Sequence, residues 1–241
     1  MNLLDKLLML FEYETQQAWA EALFEIATQS GFDHLLYGVV LTRTTPFEAA
    51  FIKSNYPEAW RAAYDQQSFH YIDPIVSHCL VSAVPMIWSG ETFRSQVEKD
   101  FYEQARAHGL YSGISYPIHG VAGEFGMLSF TSSEHRHAAF SKDYEAMTRL
   151  SLVRDYALES SIKFVHQRDD APVTKTRLTP RELECVKWVM AGKSSWEISQ
   201  ILHCSEATIN FHVANLKKKF NVPTRQQVVV KAIKERLILP A

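Results

Sequence analysis

Ser205-Glu206-Ala207-Thr208-Ile209-Asn210-Phe211-His212-Val213-Ala214-Asn215-Leu216-Lys217-Lys218-Lys219-Phe220 is the stretch on which the reading of this chain turns. Ile209, Val213, Leu216 and Phe220 recur at steps of three and four, which predicts one buried stripe of an α-helix. Asn210, Phe211, Ala214 and Lys217 fall off that stripe, and three lysines close the segment. Ser205 is a suitable N-cap. Such a helix has the chemistry of a major-groove reader: early side chains reach base edges and terminal lysines reach phosphate. Asn210 can bond adenine at two points, and Phe211 can meet a thymine methyl. A small helical docking module is the alternative.

Upstream, Thr179-Pro180-Arg181-Glu182 reads as a capping box with proline at the first helical position. It opens a helix carrying Leu183, Val186, Val189 and Met190, stopped by Gly192. Ser194-Ser195-Trp196-Glu197 is a second box, opening a short helix with Ile198, Ile201 and Leu202 on one side. His203-Cys204 is the tight turn before the quoted stretch. Thr224-Arg225-Gln226-Gln227 reads as a third box, opening a last helix that ends near Leu237. Four short helices with this spacing predict a helix-turn-helix domain over 178–241.

The charge agrees. Residues 174–241 carry 12 Lys+Arg against 5 Asp+Glu, a net of +7, and residues 1–173 carry 13 against 22, a net of −9. A basic segment on an acidic body points the tail alone at a polyanion; a solvated basic face is the alternative. Residues 166–177 lack apolar periodicity and contain Pro172, so they read as a linker.

With 241 residues, 46% of them apolar, the chain can build two ordinary domains. Three cysteines (Cys79, Cys185 and Cys204) with no C-x-x-C pair exclude a disulfide framework and argue against structural zinc. No apolar run reaches the roughly 20 residues of a membrane span. The start of the chain, with Asp5 inside its apolar stretch, lacks a basic leader. The expectation is a soluble cytoplasmic protein.

Residues 1–165 alternate between the two periods. Helices are expected over 15–30, 57–68, 73–82, 95–108 and 141–163. Strands are expected over 35–42, 49–54, 84–88, 113–119 and 125–131. In the last strand Phe125, Met127 and Ser129 point one way while Gly126, Leu128 and Phe130 point the other. A sheet apolar on both faces needs cover on both. The fold class is therefore α+β: an N-terminal α-β-α sandwich with a mainly antiparallel sheet, plus the C-terminal all-α domain. Tyr56, Trp60 and Tyr64 stand four apart and can share a helix face, which as a packing stripe needs no further role. Asp73-Pro74 can likewise be a plain helix cap.

Two resemblances join these parts. Leu178-Thr179-Pro180-Arg181-Glu182, Ala191-Gly192-Lys193-Ser194, Glu197-Ile198-Ser199, Ser205 and the run from Thr208 to Lys218 resemble the LuxR-type helix-turn-helix. Val186 stands where that family usually has Leu. The resemblance implies a DNA-facing set of Thr208, Asn210, Phe211, Ala214, Lys217 and Lys218. Trp60, Tyr64, Asp73-Pro74, Trp88 and Gly113, in that order, resemble the autoinducer-binding domain of LuxR-type quorum-sensing regulators. Asn55-Tyr56-Pro57, Val76-Ser77-His78-Cys79 and Ser194-Trp196-Glu197-Ile198 look most like the LasR subgroup.

The ligand this implies is an N-acyl homoserine lactone, with a long 3-oxo chain in that subgroup, and no cofactor. Trp60 offers an indole N–H for the lactone carbonyl, and Asp73 a carboxylate for the amide N–H. Tyr56 and Ser129 offer hydroxyls for the amide carbonyl, with Ser115 beside them. Arg61 can reach a 3-oxo group, through water if need be. Tyr64 and Trp88 enclose the ring. The acyl tail is expected along Leu36, Gly38, Val40, Ala50, Ile52, Val76, Cys79, Phe101, Leu110, Phe125 and Met127. Three positions depart from the subgroup: Ile75 replaces a hydroxyl residue, Phe47 a Tyr, and Met127 an Ala. The expected partners are the autoinducer, double-stranded DNA and a second copy of the chain, paired through the 141–163 helix.

Two other chemistries are weak. His78-Cys79 suggests a thiol nucleophile, but adjacent helical residues point roughly 100° apart. There is no G-x-S-x-G elbow and no phosphate-binding glycine loop. Glu134-His135-Arg136-His137 suits a surface turn better than a metal site.

Overall fold

The computed structural model describes residues 2–42, 45–133, 144–165, 176–235 and 237–238. It forms two compact units: Met1–Gly120 with Glu124–Asp170, and Ala171–Ala241 with Val121–Gly123. Of the linker expected over 166–177, only residues 176 and 177 are described. The His135/His137 segment lies outside the described residues.

The first unit opens with α1 (Leu3–Met9), which the sequence reading did not predict. Asn2 and Asp5 cap it reciprocally, so the acid inside the apolar stretch is the closing residue of a capping box. Then come α2 (Gln16–Gln29), β1 (His34–Val40), β2 (Phe51–Ser54), α3 (Glu58–Gln66), α4 (Pro74–Val81), β3 (Met86–Trp88), α5 (Gln96–Ala107), β4 (Ser112–His119), β5 (Phe125–Ser132) and α6 (Tyr144–Val165). Three strands are shorter than predicted, β1 by one residue, since it ends at Val40 rather than at 42. Phe47–Ala49 winds into a 3₁₀ turn before β2. Pro85, with no N–H for the ladder, precedes β3.

The five strands run β2-β1-β5-β4-β3, every pair antiparallel. In β1 and β5 alternate residues face opposite ways. Leu35, Tyr37, Val39, Leu128 and Phe130 join Trp19, Leu23, Val153 and Phe164 in a core under α1, α2 and α6. The other face carries α3, α4 and α5, so the predicted sandwich is the fold.

The second unit holds α7 (Pro180–Met190), α8 (Ser195–Ile201), α9 (Glu206–Lys219) and α10 (Arg225–Lys234). Both upstream capping boxes form, at Thr179–Glu182 and Ser194–Glu197. At the third, Thr224 Oγ1 accepts the Gln227 N–H at 3.2 Å, and no return bond from the Gln227 side chain occurs among the described residues. The last helix ends at Lys234, short of Leu237, whose N–H turns back to the Ala232 carbonyl. Cys185, Val186, Ile198, Ile209, Leu216, Phe220, Val228 and Ala232 form the core. Ile201, expected with Ile198, is instead 37% exposed.

Candidate functional site

The second face of the sheet is hollow. A cavity of about 390 Å³ lies between it and α3, α4 and α5. Its floor follows the register: Leu36 stands opposite Ser129, Gly38 opposite Met127, and Val40 opposite Phe125. Leu36, Gly38, Ile52 and Met127 are only half-buried, as expected of side chains lining a void.

One end is aromatic and polar. Asp73 caps α4, its Oδ1 accepting the Ile75 N–H at 2.8 Å, while Oδ2 accepts the Tyr64 hydroxyl at 3.0 Å. Burial pushes its carboxyl up to about 6, partly offset by these donors and the Val76 N–H. Trp60 is 3% exposed and packs against Phe69, Phe101 and Tyr64. Its indole N–H makes no hydrogen bond among the described residues. A buried carboxylate and a buried indole N–H thus both line one apolar space; the carboxylate is held by three donors but costly to ionise there, and the indole N–H is costly until something accepts from it.

A line of hydroxyls runs behind them. Trp88 Nε1 donates to Ser115 Oγ at 3.1 Å, and Ser115 Oγ lies 2.7 Å from Ser129 Oγ. The Tyr56 hydroxyl pairs with Thr131 Oγ1 at 2.7 Å. Arg61 is paired with Asp65 at 2.8 Å and lies over the Tyr64 ring.

Of the expected ligand residues, Tyr56, Trp60, Arg61, Tyr64, Asp73, Ile75, Trp88 and Ser129 line the cavity, as do Leu36, Gly38, Val40, Ala50, Ile52, Val76, Cys79, Phe101, Leu110, Phe125 and Met127. Ser115 does not line it; it stands one hydrogen bond behind Ser129. Phe101 and Leu110, expected along the tail, cluster instead with Trp60 and Trp88, because α5 and the chain after it cover that end. Val40, Ala50, Phe125 and Ile52 form a separate small cluster at the other end. Sequence reasoning missed Phe93, Tyr102, Ala105, Ser68, His70, Glu48 and Leu80 in the walls. Ala105, one turn after Phe101 on α5, was discoverable from helical spacing. Ser68 and His70 flank or occupy a 3₁₀ turn with no periodicity to read. Cys79 lines the cavity, but burial pushes its thiol up to about 12, the opposite of an activated nucleophile.

On α9, Thr208, Asn210, Phe211, Ala214 and Lys218 are exposed and Lys217 is half-buried. Phe211 keeps 62% of its surface in water. The lysine run divides: Lys219 Nζ is tied to Glu182 Oε2 at 2.7 Å and to the Arg177 carbonyl at 3.0 Å. It braces the domain, whereas Lys217 and Lys218 make no ion pair among the described residues. No group of three or more metal-ligating side chains occurs among the described residues, and no described helix is long and apolar enough to cross a membrane.

Comparison with known proteins finds a family for each part of the chain. Residues 15–161 match the autoinducer binding domain, and residues 176–232 match the luxR family of bacterial regulatory proteins. The chain is 33% identical over 203 residues to the transcriptional activator protein VanR of Vibrio anguillarum, covering 84% of this chain and 83% of the relative. A crystal structure of Escherichia coli SdiA superposes with a TM-score of 0.71 at 30% identity, covering 98% of each chain. A structure of SdiA in complex with octanoyl-rac-glycerol gives 0.72 at 27% identity, covering 97% of this chain and 93% of the other.

Proposed function

The chain belongs to the LuxR family of regulators with an autoinducer-binding domain, and from that premise we propose that it binds an N-acyl homoserine lactone and then promoter DNA. The lactone is a long-chain 3-oxo species, and the DNA-bound form is a homodimer on a palindromic site. The domain limits are 1–165 for the sensor, 166–177 for the linker and 178–241 for the DNA-binding domain. The observation that carries the reading is that buried Asp73 and buried Trp60 both line one apolar cavity. Asp73 accepts the amide N–H, Trp60 donates to the lactone carbonyl, and Tyr56 and Ser129 donate to the amide carbonyl. A hydrogen bond to the charged carboxylate contributes about 1.5–3 kcal/mol. Each buried methylene adds roughly 0.8 kcal/mol, so a long tail outweighs any one head-group bond.

Ligand that binds only the folded sensor stabilises it by mass action. Sensors then pair, and two α9 helices address the two halves of a symmetric site. Melting the protein with and without long-chain lactone tests this: a shift is expected, and none at saturating ligand removes the proposal. Asp73→Ala should abolish the shift. Asn210→Ala should relax base preference by about 1–3 kcal/mol, whereas Lys218→Ala should weaken all sites alike and flatten the salt dependence by about one ion.

A second reading keeps the architecture and changes the head group. The relative bound to octanoyl-rac-glycerol favours it: a glycerol hydroxyl, like an amide N–H, can donate to Asp73. Mass spectrometry of the small molecule that copurifies with the protein separates the two.

A further inference from the structure

The row of hydroxyls on the hollow face has more hydrogens than it has acceptors. Ser115 stands opposite Ser129 across β4 and β5, and Thr131 is the next residue of β5 on the same face. Trp88 pairs with Gly113 across β3 and β4, and its indole leans two residues along the strand to donate to Ser115 Oγ at 3.1 Å. A Cβ on residue 113 would lie 2.7 Å from Trp88 Cζ2, so glycine there lets the ring cross the strand and reach Ser115. Tyr56 closes the other end of the row, reaching Thr131 from the chain between β2 and α3.

The hydrogens can be counted. Ser115 Oγ lies 2.7 Å from Ser129 Oγ, and the Tyr56 hydroxyl 2.7 Å from Thr131 Oγ1. The one further link open to the row is Ser129 with Tyr56. Each hydroxyl brings one hydrogen and each link uses one, so four hydroxyls joined by at most three links leave at least one hydrogen over. The ends of the row cannot hold it. Ser115 and Thr131 are both 0% exposed, and neither side chain has a further acceptor among the described residues. The Trp88 N–H only donates, so it takes nothing from Ser115. A buried hydroxyl hydrogen without an acceptor is costly. Ser115 and Thr131 therefore donate inward along the row, and the spare hydrogen falls to Ser129 or Tyr56, the two that line the cavity.

We propose that Ser115 and Thr131, neither of which lines the cavity, are positioning residues: they donate from behind to Ser129 and Tyr56, so that this part of the wall presents hydrogen-bond donors and selects a ligand with a carbonyl there. When the carbonyl enters, the link between Ser129 and Tyr56 opens. Both hydroxyls then donate to the ligand while each still accepts from the residue behind it. This deepens the reading above and rests on one part of it, a carbonyl beside Ser129 and Tyr56, which an acyl lactone and an acyl glycerol both possess. Without the hydroxyls behind them, Ser129 and Tyr56 keep their hydrogens but lose their fixed direction.

The test is calorimetric titration of the full-length protein with N-decanoyl homoserine lactone and with its thioamide, whose sulfur is a weak acceptor. Ser115→Ala and Thr131→Val should each weaken the amide by about threefold, as a wall hydroxyl is freed to its three rotamers, and together by about tenfold. The thioamide should lose less than about twofold in the same double variant, and Thr131→Ser, which keeps the hydroxyl, should bind the amide within about twofold of the native protein. Equal losses for amide and thioamide would mean that the two hydroxyls only support the fold, and no loss for either would mean that they do nothing for the ligand; both results overturn the proposal. If Ser115→Ala does not fold, the nearly isosteric Thr131→Val decides alone. If no lactone binds, the lactone reading falls, and the same variants are compared on 1-octanoyl-glycerol and its octyl ether, which lacks the carbonyl: a loss confined to the ester upholds the donor wall. If neither class binds, both readings fall.

Discussion

The sensor sheet has one solid face and one hollow face, made by the same strands. On the solid side Trp19 and Tyr37 are fully buried. Their polar atoms are met by α6, Trp19 Nε1 donating to Ser160 Oγ at 2.9 Å and the Tyr37 hydroxyl lying 2.6 Å from Ser161 Oγ. On the hollow side the residues next in sequence, Leu36 and Gly38, look into a void, where Asp73 is a buried carboxylate held by Tyr64 and the start of α4, and the Trp60 N–H has no acceptor among the described residues. The difference teaches how stability and response are divided. One face holds the fold without help, so the other can be left unfinished for a ligand to complete.

The largest expected effect tests the solid face. Trp19→Ala removes a buried ring and one donor to Ser160 Oγ, which keeps its own bond to the Tyr156 carbonyl at 2.7 Å, and should cost about 3–5 kcal/mol. Chemical denaturation with and without lactone checks it. The loss should be the same in both, since Trp19 touches nothing in the cavity. A loss confined to the empty protein would mean that the two faces are not independent.

Next in size is Asp73→Asn, which addresses the hollow face. The native carboxyl is raised from 3.8 to about 6, so ionising it costs more in the folded state than in the unfolded chain. Below pH about 4 both states are protonated and the cost is nil. It grows between about 4 and 6, and above that it is full, about 3 kcal/mol at roughly 1.4 kcal/mol per unit. Asn keeps a side-chain oxygen to cap α4 and carries no charge. The empty variant should therefore be more stable than the native protein at pH 7, and the advantage should shrink to nothing near pH 4. Native lactone affinity should fall as pH drops through about 6, because the amide N–H needs the carboxylate. A pH-independent difference between the two proteins would show that solvation of Asp73 is not the cause.

Much of this was legible in the sequence. The helix-turn-helix followed from caps and apolar spacing, because each signal is local: Thr179, Ser194 and Ser205 cap the helices they announce. The sandwich followed from strands apolar on both faces. The head-group cluster was legible through resemblance more than through physics, since Trp60, Tyr64 and Asp73 also make sense as a packing stripe and a cap. What was not legible lies where spacing carries no information. Phe47 and His70 sit in 3₁₀ turns. Phe101 and Leu110 were placed along the tail because an apolar residue says that it lines a cavity, not which end. Ser115 was counted as a lining residue because sequence cannot tell a side chain that faces a cavity from one that stands behind it.

The smallest effects come from a pair of glycines on the paired strands β1 and β5. Gly126 alternates with Leu128 and Phe130 toward the solid face. A Cβ there would lie 2.0 Å from the Gly38 carbonyl oxygen and 2.8 Å from Val39 Cα, so Gly126→Ala must push β1 off β5 and should cost more than ~2 kcal/mol. Gly38 faces the cavity. A Cβ there meets only Leu36 Cδ2 at 3.6 Å and Ile52 Cγ1 at 3.8 Å, both ordinary contacts. Neither packing nor backbone conformation requires glycine at 38. Gly38→Ala should stabilise the empty protein by about 0.5–1 kcal/mol, the usual gain on removing an interior strand glycine. The same methyl projects into the floor opposite Met127, along the proposed path of the acyl chain, so long-chain lactone should bind more weakly. Paired melts and titrations of the two variants separate the faces: Gly126→Ala should lose stability, and Gly38→Ala should gain it while losing ligand. If Gly38→Ala weakens the empty fold instead, the hollow face is contributing packing that its open floor does not reveal.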